Sequence, residues 1–534
     1  MKQDVYVAYY DLDTNMVELR NYETRELNDC TFTQFKDFVN SSNAKVFIND
    51  VNIIAALIPD GTIDGVKMMN DESKEYIRYL VKECTLESFS VKCPSDWDHE
   101  MLKQIYGVNT ITDGMIEHIE HMGGLRRLSK TIASHSVKIF FSDIKDELWK
   151  DKKSKKAYIN TVKEFNMLHA GCKKGCLTKP KELKKHDNVT EWDIKTAYGA
   201  AFVCDNKFPI GKQRITSDVK KFISELKKGN NVKFVCYEKI PEIEDAVRDY
   251  GLSVWDDHNK MTSLELYDII DIKRLGVDFG MIFKKYNCTY ITYDETGYTN
   301  RVFANKYVDV FEEKNYYSKG TPERSFVKAQ TEHVYGKAIQ KRDFADDIEV
   351  VRHYRGRGEN YITPQIANHA SACVRHQIFQ AIFDLGEDVL YFDTDGIKVK
   401  ENERTRSYFE RKNIEVKEQM RVAGFEDTLL GTWEDEKFDE FIAVRPKIYV
   451  TRKDQEIAIT AAGMDDFAKN WSLHCFLDRG VQKENVISNI EKYGIPFMIK
   501  QILRKKDGTG VDVKYLEPVI LTGKEDFSGK EETE

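Results

Sequence analysis

The sequence predicts a multidomain α/β protein, and three observations lead there. The chain has 534 residues, beyond the length at which a single core stops growing. Strand-like and helix-like patterns alternate along much of it. Apolar residues make up 41% and charged residues 32%, the balance of a soluble globular protein.

The elements follow in order. VYVAYYDL, MVELRNY and KVFINDV read as strands, with a helical FTQFKDFVNS before the last of them. Residues 110–165 read as mainly helical and charged. TEWDIKTAYGAAF (190–202) reads as a strand, and residues 232–315 as short strands mixed with polar turns. TPERSFVKAQTEHVYGKAIQKRDF (321–344) has helix-start chemistry: Thr321 can cap, Pro322 suits the first turn, and Glu323 complements the positive helix end. A second such start at Thr363-Pro364 predicts a helix to about Leu385. YFDTDGIKV (391–399) follows, after a turn-like GED. The last 75 residues or so alternate helix and strand, and GKEDFSGKEETE is expected to be a disordered polar tail.

Several function classes drop out. No apolar run approaches the roughly 18–20 residues that span a bilayer. The start, MKQDVYVAYYDLDTN, lacks a signal peptide's apolar core, so a cytoplasmic setting is expected. The ten cysteines are scattered through strand-like contexts, as reduced thiols are. Cys172 and Cys176 form one close pair without a second pair nearby to complete a zinc site.

Net charge is −8, but residues 150–186 hold twelve lysines against three acids. With RHYRGRG (352–358) and LRKK (503–506), this pattern suggests a track for a phosphate backbone; the alternative is solvated surface.

The chemistry centres on YFDTDGIKV. In a continuous strand Tyr391, Asp393 and Asp395 share one face, and paired, partly buried carboxylates call for divalent cations. Hard oxygen ligands suit magnesium. A tight hairpin through Thr394, Asp395 and Gly396 is the alternative and would expose both acids. EWDIKTAYGAAF puts a third carboxylate, Asp193, in another apolar strand, with Thr196 and Tyr198 after it. Carboxylates on neighbouring strands could complete a two-metal site, with metals roughly 4 Å apart. On the helix from 321, Arg324, Lys328, Thr331 and Tyr335 fall on one face, suited to a triphosphate and its base or to a surface stripe. In AVRPKIYV (443–450), Lys447 and Tyr449 share a strand face, next to a phosphate or primer end or in an ordinary amphipathic strand.

The order of these motifs resembles family B DNA polymerases: DIKTAY (Asp193, Thr196, Tyr198), KAQTEHVYG (Lys328, Tyr335, Gly336), YFDTDG and KIY. LLGTWEDE (429–436) and AAGMDD (461–466) extend the resemblance to the protein-primed branch of small tailed phages and linear plasmids. It covers residues 165–534. Four departures stand out. The first motif ends in Gly199 where proline is usual. Glu332-His333 replaces Asn-Ser, Gly396 replaces serine, and HAGC (169–172) lacks the arginine of the linker motif. In the N-terminal stretch NAKVFINDVNIIAALI (43–58), Ile54 falls where the family's exonuclease has an aspartate.

The resemblance implies a right-hand polymerase (palm, fingers, thumb) with an N-terminal degenerate RNase H-like exonuclease domain. The implied boundaries are 1–165 degenerate 3′–5′ exonuclease-like domain, 166–235 palm, 236–320 insertion for the priming protein, 321–388 fingers helix, short second insertion and palm helix, 389–460 palm, and 461–534 thumb and tail. It implies template-directed addition of deoxynucleotides to a 3′-hydroxyl, protein-primed and without proofreading. A primer-independent primase-like polymerase and a non-catalytic DNA-binding relative are the alternatives. Asp193, Asp393 and Asp395 would be catalytic and, with the Ile194 carbonyl, would hold two magnesium ions, for which manganese can substitute. Thr196, Tyr198, Arg324, Lys328, Tyr335 and Lys447 would bind the nucleotide. Gly171, Gly336, Thr394 and Tyr449 would contact primer and DNA. Partners would be template-primer DNA, deoxynucleoside triphosphates and a terminal priming protein, with no membrane and a monomeric chain.

Overall fold

A computed structural model describes residues 4–11, 14, 16–48, 66–68, 78–81, 84–88, 103, 106–121, 132–148, 159–171, 175–178, 180–318, 321–340, 342–354, 363–462, 464, 466–498, 500–504, 511–515 and 519–522. The expectations placed on Ile54, Cys172, most of RHYRGRG and the polar tail lie outside these residues. Contacts divide the chain into two compact units. One is Met1–Asp143, Val310–Lys337 and Ile502–Val513; the other is Ile144–Asp309, Ala338–Gln501 and Lys514–Glu534.

The first unit is built on a seven-stranded sheet. Its order is Leu27–Thr31, Met16–Asn21, Val5–Asp11, Lys45–Ile48, Cys84–Ser88, Arg78–Val81, Val66–Met68. The first three strands form an antiparallel meander, and Val5–Asp11, Lys45–Ile48 and Cys84–Ser88 run parallel. Alternation puts Val5, Val7 and Tyr9 on one face of their strand. They pack with Phe47 against Ile111, Met115 and Ile119, a stripe at four-residue spacing on the helix Ile111–His121. Glu18 accepts from the backbone and hydroxyl of Thr112 at 3.0 and 3.1 Å, satisfying that helix start. The helix Phe32–Ser41 begins as its sequence predicts, with a Thr31–Gln34 capping box. The helix Pro322–Ala338 belongs to this unit up to Lys337 and adds Phe326 to the same core; it ends six residues before the expected Phe344.

The second unit carries two large antiparallel sheets. The six-stranded one runs Val389–Asp393, Gly396–Lys400, Lys185–Ile194, Trp433–Arg445, Ile448–Lys453, Glu456–Ala461. The five-stranded one runs Gln213–Thr216, Cys288–Tyr293, Val232–Cys236, Met261–Glu265, Trp255–Asp256. The boundary expected at 235/236 therefore falls inside a strand, and residues on both sides of it share one sheet. The strand expected over 190–202 is corrected: it ends at Ile194 and gives way to the helix Ala197–Cys204. The alanines and glycine of TAYGAA allow close helix packing, and Gly199 leaves no room for a side chain. A Cβ there would lie 2.9 Å from the Tyr307 ring.

The helix Pro364–Leu385 starts and stops where the sequence predicts and is buried along most of its first half. Its buried arginine, Arg375, pairs with Asp268 through two hydrogen bonds of 2.8 and 3.0 Å. Among the described residues no helix is long and apolar enough to cross a membrane.

Candidate active site

The strand Lys185–Ile194 puts alternate side chains on opposite faces. Trp192 and Ile194 enter the core, where Trp192 stacks on Phe409 with ring centroids 4.7 Å apart. Glu191 and Asp193 take the other face. Asp193 pairs in register with Gly396 on one neighbour and Glu434 on the other. The amide of Ile194 donates to the carbonyl of Asp395 at 3.1 Å. Asp193 and Asp395 therefore lie at the same end of adjacent strands.

The continuous-strand reading of YFDTDGIKV is corrected. Asp393 pairs with Gly396, and Thr394-Asp395 form a two-residue loop between the strands. The hairpin does not expose the acids fully; Asp393, Thr394 and Asp395 are all half-buried. Thr394 has φ of 64° and Thr196 has φ of 52°. Among the described residues they are the β-branched ones with positive φ, and each flanks an acidic motif. Such backbone persists only where its surroundings impose it. Here the Thr394 amide donates to the carbonyl of Cys176 at 2.9 Å, and its hydroxyl donates to Asp393 at 2.8 Å.

The segment Gly175–Thr178 closes over this turn. Leu177 bridges Asp393, and Thr178 exchanges hydrogen bonds with Phe392. A Cβ on Gly175 would lie 2.5 Å from the Cα of Thr394. Gly175→Ala is therefore expected to push the turn bearing Asp395 outward and destabilise the fold by about 1–3 kcal/mol. Denaturant melts read the loss; an unchanged melting midpoint contradicts this packing.

The electrostatics separate the three aspartates. Burial by surrounding protein, then the charges of Asp395 and Glu191, push the Asp193 carboxyl up to about 7. The side chain itself is exposed to solvent, and Asp395 and Glu191 act on it as neighbouring like charges. Asp393 instead receives the Lys447 ammonium at 2.9 Å. Glu191, missed by sequence reasoning although it stands two residues before Asp193 on the same face, pairs with the buried Lys398 at 2.6 Å. Lys398 also lies over the Tyr449 ring at 4.0 Å.

Magnesium fits this donor set in one respect. Asp193 and Asp395 offer hard oxygens and mutual repulsion that a divalent cation relieves. The three aspartates do not converge as one compact ligand group. Among the described residues, the three-residue group with ligand atoms within 4.8 Å of one another is Asp205, His369 and Cys373.

A pH dependence follows. A carboxyl raised from 3.8 to about 7 on folding contributes stability that is full below 3.8 and lost as pH rises through 7. Without divalent cations, stability is expected to fall across that window, and less so in Asp193→Asn. Melts across pH in chelator check this; identical slopes in both proteins refute it.

The remaining candidates distribute as follows. Thr196 precedes the helix Ala197–Cys204, and Tyr198 packs against the core beneath the sheet. The strand-face pairing of Lys447 with Tyr449 is corrected: Lys447 occupies the turn before the strand Ile448–Lys453, with φ of 62°. Its amide donates to the buried Tyr391 hydroxyl at 2.8 Å. On the helix Pro322–Ala338, Arg324 donates to the carbonyls of Lys314 and Tyr317 at 3.0 and 2.8 Å, closing the end of the preceding helix. Lys328 is exposed and 3.2 Å from Glu332. Thr331 and Tyr335 are buried, so the expected single exposed face is corrected, whereas Gly336 is exposed. Gly171 has φ of 94°, and a Cβ there would lie 2.8 Å from the Ser263 hydroxyl.

The overall fold is a mixed α/β architecture found in DNA polymerases of known structure. Phi29 DNA polymerase complexed with primer-template DNA and incoming nucleotide substrates matches at a TM-score of 0.62 and 13% identity, over 98% of this chain and 100% of that one. Phi29 DNA polymerase complexed with single-stranded DNA matches at 0.59 and 13%, over 97% and 100%. No family model matches the chain. No curated protein matches it by sequence.

Proposed function

We propose that the chain is a template-directed DNA polymerase of the right-hand, family B kind, extending a 3′-hydroxyl with deoxynucleotides. The observation that carries this reading is the juxtaposition of Asp193 and Asp395 at one end of adjacent strands, in a chain that shares the fold of phi29 DNA polymerase along its length. The six-stranded sheet is the palm, the helix Pro322–Ala338 the fingers helix, and residues 461–534 the thumb. Residues 236–320 contain the region for a terminal priming protein. The parallel strands beside an antiparallel meander in the first unit support an RNase H-like domain, read as degenerate in its exonuclease chemistry.

In the reaction, the primer hydroxyl attacks the α-phosphate and pyrophosphate leaves. Asp193 and Asp395, with the Ile194 carbonyl, would hold two magnesium ions, which would supply charge neutralisation for the attacking and leaving oxygens. Asp393 acts with Lys447, whose ammonium keeps its carboxylate oriented at this end of the sheet. Lys328 neutralises the triphosphate; its exposed bond to Glu332 is weak enough to exchange for phosphate, whereas Arg324 is held by the carbonyls of Lys314 and Tyr317. Tyr198 packs under the sugar and disfavours a 2′-hydroxyl, and Tyr449 holds the primer end.

Primer extension on a gapped template tests the reading. Incorporation with magnesium or manganese is expected. No incorporation with either ion favours a non-catalytic DNA-binding relative, and synthesis without primer or priming protein favours the primase-like alternative. Separately, a 3′-labelled mismatched primer is expected to stay intact; metal-dependent removal of the label contradicts the loss of proofreading.

A further inference from the structure

We propose that Asp205, His369 and Cys373 form a binding site for a zinc-class divalent cation, separate from the paired aspartates. His369 and Cys373 lie four residues apart on the helix Pro364–Leu385, so both side chains fall on one face. Asp205 ends the helix Ala197–Cys204 and meets them there. The Cys373 sulfur is 2.8 Å from Asp205 Oδ2, and His369 Nε2 is 3.4 Å from the same oxygen. Bonds of about 2.0–2.3 Å in a tetrahedron require ligand separations of about 3.3–3.6 Å. The histidine–aspartate spacing already matches, and the thiol needs to draw back by less than about 1 Å.

A second observation points to a ligand. His369 is fully buried, and its Nε2 makes only a long contact to the Asp205 carboxylate, at 3.4 Å and without good hydrogen-bond geometry, so an ion between them would improve on it. Its other ring nitrogen lies 2.6 Å from the side-chain nitrogen of Asn231, whose Oδ1 is also buried without a hydrogen bond. Binding through Nε2 requires that amide to turn over, so that Oδ1 accepts from Nδ1–H as the outer partner of a metal-ligating imidazole, at the cost of the Asn231 bond to the Lys207 carbonyl and of bringing two oxygens together there. Asp205 is already oriented by the Tyr267 hydroxyl at 2.8 Å and the Lys207 amide at 2.6 Å. Asp205 and Cys373 also line a cavity of about 530 Å³, which supplies an entry path and room for a water as fourth ligand.

The mixed sulfur, nitrogen and oxygen donors select zinc over magnesium. On binding, the Cys373 thiol loses its proton to solvent and its sulfur bonds the ion; no redox change occurs. The ion would fasten the helix that follows Asp193 to the helix that precedes the Asp393–Asp395 hairpin.

The test uses the full-length protein, stripped with chelator and titrated with zinc chloride or cobalt chloride. One zinc per chain is expected, and cobalt is expected to give a thiolate charge-transfer band. Cys373→Ser should abolish that band, and His369→Gln and Asp205→Asn should each weaken zinc binding by at least about tenfold. Circular dichroism identifies any variant that fails to fold, and Asp205→Asn, which keeps the side chain's size, carries the test in that case. Zinc uptake no greater than adventitious, or the same affinity and band in the folded variants, overturns the site.

Discussion

Asp395→Ala is expected to reduce primer extension by on the order of 10³-fold or more, while binding to primer-template DNA stays close to wild type. The loss follows from the proposed role: a carboxylate that holds a metal contributes several kcal/mol to transition-state charge stabilisation, and about 4 kcal/mol corresponds to about 10³-fold. DNA binding should survive because removing a negative charge near a phosphate backbone does not weaken electrostatic attraction. Asp193→Ala is expected to behave alike. Asp393→Ala should abolish extension as well, by a different physical route, since it removes the partner held 2.9 Å from the Lys447 ammonium. Single-turnover extension beside gel-shift binding separates the two effects. Full activity in either hairpin variant refutes the assignment.

Lys233→Met is expected to cost about 3–5 kcal/mol of stability, the range for breaking one half of a buried ion pair. Lys233 and Glu265 are 0% and 1% exposed, with an N–O distance of 2.9 Å. The Glu265 carboxylate is left as a buried charge when the ammonium goes. Lys233 Nζ also bonds the carbonyls of Leu168, at 2.8 Å, and Ala170. The Ala170 carbonyl lies in the HAGC stretch, where the arginine of the resemblance is missing, and the Leu168 carbonyl just before it; a lysine from the strand Val232–Cys236 fastens the segment. Replacing both partners, Lys233→Met with Glu265→Leu, should recover much of the stability. Urea melts of the single and double variants decide it, and a single variant as stable as wild type contradicts the pair's role.

Much of the local structure was legible. The helical FTQFKDFVNS, the Thr363-Pro364 start and the alternation in VYVAYYD are signals carried by contiguous residues, and each predicts its element. The misread elements have identifiable causes. Residues 190–202 look like one apolar run, and apolarity alone does not distinguish a strand from a buried helix. The break at Ile194 is fixed by long-range backbone bonds, from Ile194 to Asp395 and from Lys195 to Thr432, and by the positive φ of Thr196. Lys-x-Tyr has strand spacing, which predicts a strand position for Lys447, but its amide is held by a tyrosine hydroxyl from another strand, 56 residues earlier.

The sequence by itself determined which residues could do chemistry: the aspartates of DIKTAY and YFDTDG, the cations of the helix from 321, and the expectation of an α/β polymerase-like chain. Their types, order and spacing are properties of the chain alone. Only the tertiary structure decided which of them meet. It brought Asp193 beside Asp395 through strand register, gave Asp393 a lysine, set Glu191 against Lys398, and gathered Asp205 with Cys373 across 168 residues. The physical reason is that charge interactions act over a few ångströms of space, and neighbours at that range are chosen by sheet register and helix packing rather than by distance along the chain.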